Sequence, residues 1–273
     1  MKRSPKLLIV PVIAAVALLV SACTSTNAGG GAATAGASTL DDVLASKVVR
    51  VGVQTEVSPW GLLKSDGTRE GYDIDMAEAL AASLGAEVEY VNASNETRIP
   101  LLQTDKVDVV IASFTVNPER AQSVEFSIPY AATGTVVVVP ENSSIRSYAD
   151  LAGKSVATSR GSSGELILEE EFPEATATKF ESYADSLQAL RSGKVDALIE
   201  STVTANQLVA SEPGFRLIAG DVLRPSLMAI GVQQGDPEWL RYVDTFVRLW
   251  NNSGQNQAAT QKWLATDVPE FIR

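Results

Sequence analysis

The sequence predicts a mixed α/β protein built as two lobes joined by two crossover hinge strands. Three observations carry this. Apolar runs of strand length alternate with stretches of helical periodicity. The alternation occurs twice in succession, without a sequence repeat. The chain then returns through one more strand to two closing helices, which brings its tail back to the first lobe. Residues 40–133 and 223–273 are expected in lobe 1, and 134–222 in lobe 2.

The elements follow in order. Residues 48–53, Val-Val-Arg-Val-Gly-Val, form the first strand. Ile74, Ala77, Leu80, Ala81 and Leu84 recur at helical spacing, and Gly85 supplies the stop. Residues 87–91 and 107–112 read as strands, with a short helix over 98–104 between them. Val136 to Val139 is a four-valine run closed by Pro140, a buried strand. In the second series, 155–158 is a strand and Gly161-Ser162-Ser163-Gly164 turns into a helix. A helix over 182–192 leads to a strand at 195–199, followed by a helix over 202–210. The tail holds a strand at 227–232 and helices near 237–252 and 256–265.

Lys2, Arg3 and Lys6 precede an apolar run from Leu7 to Val20, and Ser21-Ala22 stand before Cys23. That is the order of a secretory signal with a small-residue cleavage site. The run is short for a membrane span and carries Pro11. Cys23 is the only cysteine, and its position resembles the lipobox of bacterial lipoproteins, which implies lipidation at Cys23. Residues 1–22 are thus expected to be a signal peptide, and 23–39 a lipidated cysteine and a Thr/Ser/Ala/Gly-rich flexible linker. The expected location is the cell envelope, lipid-anchored to the membrane and facing outward.

Residues 1–22 hold three bases and no acid, so the remainder has 19 bases against 33 acids, a net charge of −14. Such a surface repels nucleic acid and anionic membranes. The chain has no histidine, which removes the histidine triads and histidine metal sites. No carboxylate-only or lysine-based hydrolytic motif converges. Binding is favoured over catalysis, with no catalytic residue, metal or cofactor expected. Nothing predicts an oligomer, and a monomer is expected.

Four stretches stand in a telling order: Gly71-Tyr72-Asp73-Ile74-Asp75-Met76-Ala77, Arg98-Ile99-Pro100-Leu101-Leu102, residues 112–120 from Ala112 to Arg120, and Phe126-Ser127-Ile128-Pro129-Tyr130. Together they resemble the family 3 extracellular solute-binding proteins, the polar amino acid receptors of ABC importers. The resemblance runs from about Leu40 to the C-terminus. It implies the two-lobed periplasmic-binding-protein fold of type II, and a lipid-anchored receptor that captures an amino acid or related small carboxylate by hinge closure. It also implies an ABC permease as partner.

Asn117-Pro118-Glu119-Arg120 reads as a helix start, with Arg120 near a strand end. Its planar fork suits a carboxylate, although a surface pairing with Glu119 or Glu125 is the plainer alternative. The resemblance implies that Arg120 binds the solute α-carboxylate with Ser113 and Thr115. It also implies that the turn at Ser162 and Ser163, a ready anion site at a helix start, closes on the same group, with Ser163 ahead of Ser162. Arg160 stands just before that turn as an alternative partner for an acidic side chain of the solute.

The departures concern the solute ammonium. The family aspartate that holds it falls at Ser201 here, with Glu200 just before. Neighbours in a strand point to opposite faces, so Glu200 takes over only where the chain turns. Glu200 or Glu56 then supplies the charge, or the solute lacks a standard α-amino group. Gln54 and Asn95 imply a polar pocket without an aromatic sandwich. Trp60 is either a wall or a core residue, and Glu56 either a solvated acid or a contact. Asp73 is expected to cap its helix and Tyr72 to pack. Two rival functions stand beside the receptor: an enzyme like the cyclohexadienyl dehydratases, which share the fold, and a solute sensor uncoupled from transport.

Overall fold

The computed structural model describes residues 38–272. The expected signal, Cys23 and the expected linker up to residue 37 lie outside the described residues. Among the described residues no helix is long and apolar enough to cross a membrane.

The first series contains α1 (Thr39–Ser46), β1 (Val48–Val53), β2 (Glu56–Val57), β3 (Gly61–Leu63), β4 (Arg69–Glu70), α2 (Tyr72–Leu84), β5 (Glu87–Asn92), α3 (Arg98–Gln103) and β6 (Val109–Val110). A long strand, β7 (Glu125–Pro140), follows. The second series contains β8 (Ser155–Ser159), α4 (Ser163–Glu171), β9 (Thr176–Phe180), α5 (Tyr183–Arg191), β10 (Ala197–Ser201), α6 (Thr202–Ser211) and β11 (Phe215–Leu217). The chain returns through β12 (Leu223–Val232) to α7 (Pro237–Asn252) and α8 (Gln255–Leu264).

One sheet runs through the molecule in the order β5-β1-β6-β12-β7-β10-β8-β9, with β11 on β7. The outer strands of each half are parallel, as crossover helices require. The two halves meet on β7. Its first part pairs with β12, from Glu125 opposite Val232 to Thr135 opposite Leu223. Its second part pairs with β10, from Thr135 opposite Ser201 to Val138 opposite Leu198. The expected lobe boundaries therefore fall inside β7 and at the start of β12. Gly134 belongs at this crossing: a Cβ there would meet Val222 Cγ1 at 1.9 Å.

The four-valine run divides by alternation. Val136 and Val138 enter one core with Leu187, Leu190, Leu198 and Leu208. Val137 and Val139 enter another with Ile145, Leu151, Val156 and Ile167 on the opposite face. A strand covered on both faces is therefore apolar at every position. In lobe 1, α7 buries Trp239, Val243, Phe246, Val247 and Trp250 along one stripe. Each such side chain contributes about 1.5–3 kcal/mol by leaving water. Asp236 caps this helix by accepting from Trp239 N–H at 2.9 Å, and Pro237 fits the first turn.

Two sequence expectations are revised, and one small sheet is new. The small antiparallel sheet β2-β3-β4 has strands too short to show periodicity. β6 covers only two residues of the expected 107–112, because the chain leaves the sheet to build the turn at Ser113. The expected helix start at Asn117 is a single 3₁₀ turn, Arg120–Gln122. Asn117 Oδ1 still accepts from Arg120 N–H at 2.8 Å.

Candidate functional site

The C-terminal ends of the parallel strands from both lobes point into one cleft, where α/β sheets place ligands. Gln54 follows β1, Asn95 and Arg98 follow β5, and Ser113 and Thr115 follow β6. From lobe 2, Ser162 and Ser163 follow β8, and Glu200 and Ser201 end β10. All nine line a single narrow cavity of about 50 Å³, with Tyr183, Thr133, Thr135 and Met228 also on its walls.

The first-lobe wall is a chain of polar contacts. Ser113 has φ 45°, a left-handed conformation uncommon for a residue with a Cβ. Its N–H donates to Asp73 Oδ2 at 2.7 Å, and its Oγ donates to Gln54 Oε1 at 2.9 Å. Gln54 Nε2 donates to Asn95 Oδ1 at 3.3 Å. The Asn95 amide hydrogens and the Thr115 hydroxyl have no protein partner among the described residues.

Two buried guanidiniums stand behind this wall, 2% exposed at Arg98 and 6% at Arg120. Both pack against the Phe114 ring, at 4.3 and 5.7 Å from its centroid. Burial, and then the repulsion of Arg120, push Arg98 well below the usual arginine range. Burial likewise brings Arg120 down to about 10. Arg98 donates to Ala112 O at 3.3 Å and Gly161 O at 3.4 Å, while its Nε is buried without a partner. Arg120 donates to Thr115 O at 2.7 Å and to Gly161 O at 3.0 Å.

The second-lobe wall begins at the N-terminus of α4. Ser162 caps it, accepting from Glu165 N–H at 3.2 Å, so its hydroxyl is occupied. The Ser163 hydroxyl has no protein partner among the described residues. Gly164 lets the helix approach β10, since a Cβ there would stand 2.9 Å from Ile199 Cγ2. Ser201 caps α6 by accepting from Thr204 N–H at 3.2 Å. Because β10 turns into α6 at once, Glu200 and Ser201 both face the cavity. Glu200 Oε1 accepts from Ser201 N–H at 2.6 Å, and burial pushes this carboxyl up to about 7. Among the described residues no cation pairs with it.

Some expected site residues lie elsewhere. Arg120 lines a neighbouring chamber of about 450 Å³ with Arg160 and Glu165, which shares Asn95 and Ser162 with the main cavity. Trp60 is 1% exposed and packs edge-on to Tyr72, so it is a core residue and not a wall. Glu56 is an exposed residue of β2 and does not reach the cavity. Asp73 does not cap α2: the N-cap is Gly71, without a side-chain bond, and the carboxylate reaches to Ser113 and Tyr130. Arg160 pairs with Glu181 at 3.1 Å. Arg98 and Tyr183 were missed. Arg98 had a signal, since a base opening a helix opposes the helix dipole and needs another reason to be there. Among the described residues no acidic, histidine or cysteine cluster is arranged to hold a metal.

A sequence profile of the bacterial extracellular solute-binding proteins, family 3, matches residues 49–266. The chain belongs to this family. Its relatives include the glutamine-binding protein of an ABC transporter from Bacillus subtilis (strain 168), 29% identical over 259 residues, covering 93% of this chain and 94% of the relative. The glutamine-binding protein of Geobacillus stearothermophilus is 33% identical over 215 residues, 76% of this chain and 82% of that one. Among solved structures, an ancestral arginine-binding protein bound to glutamine superposes with a TM-score of 0.76 at 32% identity, covering 81% of this chain and 99% of that one. These relatives are amino acid-binding proteins.

Proposed function

We propose that this family 3 protein is the receptor of an ABC importer and captures a polar α-amino acid between its lobes. The observation that carries the reading is the charge layout of the cleft. Arg98, a buried guanidinium on lobe 1 with an unspent Nε, lines the same cavity as Glu200, a half-buried carboxylate on lobe 2 without a cation among the described residues, and the buried Arg120 stands in the adjoining chamber. Unpaired buried charges are costly, and a zwitterion relieves both.

In this reading the solute carboxylate sits against Arg98 Nε. Arg120 exchanges its bond to Gly161 O for the same carboxylate, and Ser113 and Thr115 add donors. On closure Ser163 and the N-terminus of α4 reach the same group, and Glu200 takes the ammonium. Gln54 and Asn95 bind the solute side chain, while Ser162 and Ser201 hold their helix ends in place. Glu56 and Trp60 make no contact. Lobe closure is favoured because both walls bind one molecule. The Cys23 thiol carries the lipid that keeps the receptor at the outer face of the membrane.

A thermal-shift panel of the twenty L-amino acids tests the binding. At a hundred times the dissociation constant a bound solute stabilises by about 2.7 kcal/mol, so one or a few amino acids raise the melting temperature. A panel without a stabiliser contradicts the reading. The anchor is tested by labelling cells with a fatty acid, where Cys23→Ser abolishes incorporation.

A further inference from the structure

Asp73 lies outside the solute cavity, yet its hydrogen bonds bear on the cavity wall. It is fully buried at the start of α2. Oδ2 accepts from Ser113 N–H at 2.7 Å, and Oδ1 accepts from Tyr130 O–H at 3.0 Å on the crossover strand β7. Ser113 in turn orients Gln54, and Gln54 orients Asn95. Among the described residues no guanidinium or ammonium bonds to Asp73; Arg98 acts on it through space.

We propose that Asp73 is a positioning residue of the solute site, which holds the left-handed turn at Ser113 and sets, by its charge near Arg98, how firmly an anionic group is bound. This rests on the amino-acid reading above.

The geometry separates the two effects. Ser113 N–H can only donate, so Oδ2 accepts in either protonation state. A proton on the carboxyl therefore sits on Oδ1 and is donated to Tyr130 Oη, which turns to accept it. The turn survives protonation, and only the charge changes. An ionised Asp73 offsets the positive field of Arg98 that attracts a solute carboxylate; a neutral Asp73 does not. The ionisable groups around it are Arg98 from α3, Tyr130 from β7 and Tyr72 from its own helix, with Arg120 behind Arg98. Burial pushes Asp73 up to about 7, which places the change in the neutral range.

Asp73→Asn copies the neutral form, since its carbonyl accepts from Ser113 and its amide donates to Tyr130. Asp73→Ala removes the support. Calorimetric affinities for L-glutamine, L-arginine and L-glutamate are compared between pH 6.5 and 8 for the wild type and both variants. For each probe that binds, Glu200 titrates alike in both proteins, so the wild-type affinity falls relative to that of D73N by up to about tenfold between pH 6.5 and 8, one pKa unit's worth. D73A, where it folds, loses at least about tenfold at every pH. A wild-type affinity that keeps a constant ratio to that of D73N across this range, or wild-type binding by D73A, overturns the proposal. If no probe binds the wild type, the amino-acid reading fails by itself. The solute-free melting temperature then judges Asp73: D73N reduces its fall between pH 6 and 8, and an unchanged fall overturns the proposal.

Discussion

Arg98 and Arg120 donate to the same acceptor, the carbonyl oxygen of Gly161 on the opposite lobe, at 3.4 and 3.0 Å. Two like charges brought to one neutral oxygen leave most of their field unsatisfied. The cleft thus closes over a cationic spot, which in the proposed function a solute carboxylate completes.

That field has a stability cost. Arg98→Met keeps the length of the side chain and removes a buried charge with an orphaned Nε. Replacing a poorly compensated buried charge with an apolar group is expected to stabilise the solute-free protein by about 1–4 kcal/mol, while solute affinity falls by more than tenfold. Denaturant unfolding and calorimetry on the same variant check both halves.

Gly161 has φ 71°, and a Cβ there would stand 2.9 Å from Asn95 O on the other lobe. Gly161→Ala is therefore expected to hold the lobes apart and weaken binding by at least about tenfold, leaving each lobe folded. Small-angle scattering of the variant with solute should show the wider, open form.

Trp60 separates core from site. Trp60→Phe is expected to cost about 1–3 kcal/mol of stability with affinity unchanged, because the ring packs on Tyr72 away from the cavity. A large loss of affinity in the folded variant would restore Trp60 as a wall.

Glu200 links the site to pH. Its carboxyl lies at about 7 in the folded protein and in the ordinary range when unfolded. Between those values the folded state binds more protons, so stability falls as pH rises, by at most ~1.4 kcal/mol per pH unit. Below pH 7 the carboxyl is neutral and the hold on the solute ammonium weakens. Glu200→Gln should flatten the first dependence and remove most of the binding.

Much of this was legible in the sequence because it is periodic or punctuated. The valines at 136–139 read as a strand, and Ser162 and Ser201 stand at strand-to-helix turns that the structure places on the cavity. The rest depended on direction in space. Asp73 stands where a cap belongs, but its carboxylate turns inward to Ser113. Trp60 sits in a loop beside the site, but its ring faces the core. Arg98 lies in an otherwise ordinary short helix, and only the fold shows that its guanidinium shares Gly161 with Arg120. Spacing along the chain fixes which strand end a residue occupies; side-chain packing decides what it meets there.

The most direct measurement is a calorimetric comparison of the amino acid that most raises the melting temperature with two of its analogues, one lacking the α-amino group and one lacking the α-carboxylate. A zwitterion held between the Arg98–Arg120 pair and Glu200 predicts that each analogue binds at least tenfold more weakly than the parent. An analogue that binds as tightly as the parent would contradict it.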